Sequence, residues 1–137
     1  MAAFQVILLA SALLMAAESQ THSCDENPFH NGCTIPFNID IPFRNSFLPA
    51  CKRHDICYKC GNNAMYAVLH GRYRCDQLFY RNMKAICKRR SLFRRFTCMV
   101  NARLYYTSVR TLGVGRMKSR ERVPSFCSQP WVHACLQ

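Results

Sequence analysis

No stretch of this chain alternates apolar and polar residues strongly enough to read as a strand, which excludes a β-sandwich or β-barrel and leaves helices to carry the fold. No segment repeats and none is of low complexity, which excludes a solenoid and a long disordered tract. Past residue 17 no apolar run is long enough to cross a bilayer. Acids are sparse: seven Asp and Glu stand against nineteen Lys and Arg, a net charge of +12 over 137 residues. That balance favours anionic partners such as lipid headgroups, acidic receptors or nucleic acid, or simply a solvated surface. It indicates the polarity of a partner and not an activity.

What is present begins with an apolar run. Phe4, Val6, Ile7, Leu8, Leu9, Leu13 and Leu14 lead to the small pair Ala16 and Ala17. This is the pattern of a secretory signal over residues 1–18, although no Lys or Arg marks its start; a buried N-terminal helix is the alternative. Cleavage there leaves roughly 120 residues, one small domain, and places the protein as secreted. All ten cysteines follow this run, from Cys24 to Cys135. An even count in a short secreted chain reads as five disulfides, which supply stability that a small core cannot. The Cys57/Cys60 pair also has zinc-ligand spacing, but the secretory context favours disulfides.

Residues 20–45 show no period and are punctuated by Asn27-Pro28, Asn31-Gly32, Pro36 and Pro42, a loop pinned by Cys24 and Cys33. A first helix is expected from residues 45–49 to about 61, with Ser46 as cap and Pro49 in its first turn. Residues 64–71 are a helical extension or a covered loop. A second helix over residues 72–89 carries the stripe Cys75, Leu78, Phe79, Met83, Ile86 and Cys87. A third runs from residue 93 or 96 to 112, with Phe96, Val100, Leu104 and Thr107 expected inside, Tyr105 and Tyr106 at the rim, and Gly113 and Gly115 as its end. Residues 116–137 read as an irregular tail stapled by Cys127 and Cys135.

The chemistry centres on residues 51–60, Cys-Lys-Arg-His-Asp-Ile-Cys-Tyr-Lys-Cys. On a helix Cys51, His54 and Tyr58 share one face, while Asp55 is turned about 100° from His54. A neutral imidazole suits the activation of a water. A carboxylate on its far nitrogen would hold the tautomer, and Asp76 can fill that role if the first two helices run antiparallel. Asp55 is then free for a hard cation; calcium suits one carboxylate plus loop carbonyls, and Asn31-Gly32-Cys33 can supply those. Such a cation would polarise an ester carbonyl. Tyr58 either supports the Asp76 network through its hydroxyl or is a plain core tyrosine. His22, His30, His70 and His133 lack such company and are surface or core residues by default.

Cys-x-x-His-Asp-x-Cys-Tyr over residues 51–58 resembles the active-site helix of secreted phospholipase A2 enzymes. Residues 42–55, 75–84 and 98–113 are similar to the compact bacterial and fungal branch. The Asn31-Gly32-Cys33 start, the signal, the ten cysteines and the basic pairs resemble most the conodipines, phospholipase A2 toxins of cone snail venom. The resemblance covers roughly residues 24–115. It implies a small, disulfide-rich, all-α fold of two to three core helices, with residues 19–115 as the phospholipase A2-like domain and 116–137 as its tail. It implies His54 as catalytic base, Asp76 as its partner, and Asp55, Gly32 and Asn31 as ligands of Ca2+. Asn31 departs from the branch's Asp, and the glycine-rich calcium loop of the large vertebrate enzymes is missing.

The resemblance further implies disulfides Cys33–Cys51 and Cys87–Cys98. The second would join a two-chain mature form if the precursor is cut near residues 88–95; a cut near 120–122 is the rival. The implied activity is calcium-dependent hydrolysis of the sn-2 ester of glycerophospholipids at a membrane surface. Phe29, Phe43, Phe47 and Trp131 are the expected docking rim. The alternative is a weakly catalytic or non-catalytic toxin on the same scaffold that binds an ion channel (the L-type calcium channel) or a receptor. Neither expects a nucleic-acid partner.

Overall fold

The computed structural model describes residues 24–25, 29–33, 41–61, 71–117 and 122–137. The expected signal, the 64–71 segment up to residue 70, His22 and His70 lie outside them. Among the described residues there is no strand, and no helix is long and apolar enough to cross a membrane. Three long helices are present: α1 Arg44–Cys60, α2 Arg72–Lys88 and α3 Leu92–Leu112. A 3₁₀ turn, Ser125–Ser128, and a short helix α4, Pro130–Cys135, follow. α2 packs against both α1 and α3. The all-α, disulfide-rich fold expected from the sequence is the one observed.

α1 starts earlier than expected and without a side-chain cap. Its N-terminal flank is Phe43 in the left-handed region at φ 68°, whose carbonyl accepts from Phe47 N–H. Ser46 does not cap; its hydroxyl accepts a bond of 2.9 Å from Arg90. Phe47, Ala50, Cys51, His54, Cys57 and Tyr58 repeat at three- and four-residue steps and are buried. Phe47 is fully buried, edge-on to Tyr105 at 5.4 Å, and so leaves the expected docking rim for the core. Burial of such a ring contributes about 2–3 kcal/mol, which outweighs any surface use.

The third helix is rotated from its expected setting. Phe96, Val100 and Leu104 are exposed, and Thr107 with them; Cys98, Asn101, Ala102 and Tyr105 face inward. The cause is covalent. The Cys87–Cys98 bridge joins α2 to α3 and turns Cys98 to the core, and residues three, four and seven positions on must follow it. Tyr105 is therefore core rather than rim. Tyr106 is half-buried, stacked on Tyr80 and accepting a hydrogen bond from Gln77.

Five disulfides form among the ten cysteines: Cys24–Cys135, Cys33–Cys51, Cys57–Cys75, Cys60–Cys127 and Cys87–Cys98. Cys57 and Cys60 sit in separate bridges, so the zinc alternative falls. The tail is helical where an irregular segment was expected. Pro130 presets the first turn of α4, and Val132 and Leu136 are buried against Ile56 and Tyr58. Two apolar clusters result, one around Ile56, Val132 and Leu136, the other around Phe47, Phe79, Met83 and Tyr105. His54 lies between them, its ring 4.5 Å from Phe79 and 4.3 Å from Tyr58.

Candidate active site

Three bridges set the backbone of the site. Cys57–Cys75 ties α1 to the start of α2, so His54 and Asp76 face each other across the pair. Cys33–Cys51 ties the 29–33 loop to α1 one turn before His54. Cys87–Cys98 delivers α3 behind α2. A bridge closing a loop of this size contributes about 3 kcal/mol, largely by restricting the unfolded chain.

His54 Nε2 lies 2.8 Å from Asp76 Oδ1. The Asp76 side chain is fully buried, while His54 is 9% exposed and lines a cleft of about 600 Å³. Tyr58 donates its hydroxyl to the same Oδ1 at 2.7 Å. Arg110 Nη1 donates to Oδ2 at 2.9 Å. Burial alone would push the Asp76 carboxyl up; the bonds from His54, Tyr58 and Arg110 outweigh it and hold Asp76 below the usual carboxylate range. An ionised Asp76 accepts from Nε2–H, which leaves Nδ1 as the lone-pair nitrogen of a neutral imidazole. The Tyr58 hydroxyl is pushed well above its ordinary value, by desolvation first and by Asp76 second, so it stays a donor.

Asp55 faces the other wall. Its Oδ2 accepts the Asn31 N–H at 2.7 Å. Burial pushes its carboxyl up, and the Asn31 bond offsets this only in part. The loop is fixed beside it. Lys59 Nζ donates to the Phe29 carbonyl at 2.7 Å, and His30 Nδ1 accepts from Gly32 N–H at 3.0 Å. Gly32 has φ 68°, a conformation that favours glycine. Asn31, Gly32, His54 and Asp55 all line the one cleft. Among the described residues no three His, Cys, Asp or Glu converge on a metal position. Any cation here would therefore be held by Asp55 and by oxygens of the 31–33 loop. The donors are all oxygen, and Asp55, a half-buried carboxylate, is the one charged group among them. That set fits a hard cation and does not fit zinc.

The structure thus brings His54, Asp55, Asn31 and Gly32 to one cleft, with Asp76 buried behind His54. It adds residues that the sequence reading passed over. Arg110, to which no role was assigned from the sequence, is the third partner of Asp76. Arg72 donates to the carbonyls of Val109 and Arg110, satisfying the C-terminal end of α3. Gly113 is required by close approach: a Cβ there would collide with the Val109 carbonyl and stand 2.7 Å from the Tyr58 hydroxyl. The one available signal was electrostatic, since a buried acid in so basic a chain attracts a cation from the last turn of the facing helix.

An antiparallel helix pair that presents His54 to a buried carboxylate, beside a loop pinned by disulfide to the same helix, is the frame of a small helical hydrolase. The chain belongs to the family described as prokaryotic phospholipase A2, whose model matches residues 11–113. Among its relatives, the conodipine-M alpha chain of Conus magus is 42% identical over 57 residues, covering 42% of this chain and 68% of that one. Conodipine-P3 of Conus purpurascens is 36% identical over 76 residues, 56% of this chain and 38% of its own. A secretory phospholipase A2 of Beauveria bassiana is 37% identical over 83 residues, 61% of this chain and 42% of its own. The match thus spans well under half the length of the last two. No solved structure matches the chain.

Proposed function

We propose that the chain is a secreted phospholipase A2 that hydrolyses the sn-2 ester of glycerophospholipids and acts as a venom toxin. The observation that carries this is the 2.8 Å contact of His54 Nε2 with a fully buried Asp76, at the wall of a cleft. With Nε2–H held by Asp76, Nδ1 takes a proton from a water as that water attacks the sn-2 carbonyl. Asp76 stays ionised and stabilises the imidazolium that forms. When the tetrahedral species collapses, the Nδ1 proton passes to the leaving lysophospholipid oxygen. Ester and water become lysophospholipid and fatty acid, with no covalent intermediate on the protein. Calcium held by Asp55, Asn31 and Gly32 would supply electrostatic stabilisation of the oxyanion. Five disulfides and relatives that include venom and secretory proteins support an extracellular site of action.

A specific observation favours a second reading. The Asn31 N–H donates to Asp55 Oδ2 and competes with a cation for that carboxylate. Weak calcium binding would leave the scaffold as a binder of an ion channel or receptor. One experiment separates the two. Wild type and His54→Gln are compared for fatty-acid release from phospholipid vesicles with calcium and with chelator. Calcium-dependent release that falls at least a thousandfold in His54→Gln supports the enzyme. No release by wild type at high calcium rejects it, and a channel effect that survives the substitution selects the binder.

A further inference from the structure

α3 carries an apolar ridge that the fold does not cover. Phe96, Val100 and Leu104 recur every four residues and are 74%, 45% and 52% exposed. Phe93 and Leu92 extend the ridge at its N-terminal end, and Phe93 is 92% exposed. Four residues beyond Leu104 is Ser108, and four beyond that is Leu112; both line the cleft that holds His54 and Asp55. The row is thus continuous from a bare aromatic tip to the cleft mouth. Scattered exposed apolar residues need no explanation, but a contiguous row on one helix does.

The charges around this ridge have one sign. Between residues 77 and 117 the chain has ten Lys and Arg and no Asp or Glu. Arg94, Arg95 and Arg103 are exposed on α3 itself. At the Phe93 end, Arg44, Arg90 and Arg94 line a second, shallow cleft. A protein partner would have to bring carboxylates to every side of an apolar stripe. An anionic bilayer offers both requirements at once: phosphates for the arginines and acyl chains for the rings.

We infer that the Phe93–Phe96–Val100–Leu104 ridge is the surface by which this protein docks on anionic phospholipid bilayers, with its rings below the headgroups and the arginines at the phosphates. This deepens the phospholipase reading, on which it rests for its purpose, by assigning a face and an orientation. Docked so, the cleft mouth at Ser108 and Leu112 lies next to the lipid at the trailing end of the ridge. Phe29, Phe43 and Trp131 are not needed for this contact.

The test separates docking from chemistry. Binding to vesicles of phosphatidylglycerol and of phosphatidylcholine is measured by sedimentation without calcium, where turnover is suppressed. Hydrolysis of a monomeric short-chain phospholipid is measured with calcium. Phe93→Gln and Phe96→Gln remove exposed rings and leave the core untouched. Each is expected to weaken binding to phosphatidylglycerol vesicles about tenfold, with monomer hydrolysis unchanged. Phe96→Trp is expected to gain emission that brominated lipid quenches, beyond the Trp131 background of the parent. Wild-type binding by the double Gln variant, or no quenching in Phe96→Trp, overturns the proposal. So does a dimer that Phe96→Gln dissociates, since the ridge would then be a self-association surface. Vesicle binding without monomer hydrolysis in the wild type would leave docking standing and reject the enzyme.

Discussion

Replacing Tyr58 by Phe deletes one hydroxyl whose surroundings are fully defined. It donates to Asp76 Oδ1 at 2.7 Å, and Asp76 has no exposed surface. A hydrogen bond to a buried charged group contributes about 1.5–3 kcal/mol. Two donors, His54 and Arg110, remain on Asp76 in the variant, so the lower end applies and the expected loss of stability at pH 7 is about 1.5 kcal/mol. The loss has a pH signature. Asp76 is held below the ordinary carboxylate range, so the contribution is complete above about pH 4 and disappears as pH falls through the folded-state titration of Asp76. It does not fade on the alkaline side, because the Tyr58 hydroxyl is itself pushed above its usual value. The assay is guanidinium unfolding of both proteins, disulfides intact, at pH 7 and at pH 2. Activity should fall no more than about tenfold, since a lost interaction of about 1.5 kcal/mol converts to roughly that factor in rate. Equal stability at pH 7, or a difference that grows as pH falls below the ordinary carboxylate range, would refute this account of the Asp76 network.

Four further outcomes are expected. Asp55→Asn removes the negative charge but keeps an amide oxygen that can accept from Asn31 N–H, so the fold is kept; calcium affinity by titration calorimetry should drop at least tenfold, because all the remaining ligands are neutral. In the wild type, burial raises the Asp55 carboxyl, so calcium binding should begin to weaken at a higher pH than for an ordinary Asp. Gly113→Ala places a methyl against the Val109 carbonyl and the Tyr58 hydroxyl and should cost about 1–3 kcal/mol; an unchanged melting temperature would contradict the close approach. Arg110→Gln removes one of three donors on Asp76, so that carboxyl titrates higher and acid unfolding begins at a higher pH; Arg110→Lys should restore part of the shift.

The geometry around His54 was legible because local spacing dictates it. Cys51, His54 and Tyr58 share a helical face whatever else the chain does, and the stripe of α2 names Asp76's own neighbours. The setting of α3 was not legible. Its sequence places apolar residues on two faces, Phe96–Val100–Leu104 and Cys98–Ala102–Tyr105, and periodicity cannot choose between them. Only the partner of Cys98 decides, and that is a long-range fact. Arg110 was hidden for the same reason: thirty-four positions separate it from Asp76, and no local pattern connects them. Ser46 failed as a cap because Arg90, from the end of α2, engages its hydroxyl.

The Cys24–Cys135 bridge spans 111 positions and holds those two residues with Cα atoms 5.4 Å apart. Everything between them is in effect a closed hoop. An exopeptidase trimming from either side would stall at the knot. Circular permutation should be tolerated there, since the ends to be joined are already neighbours.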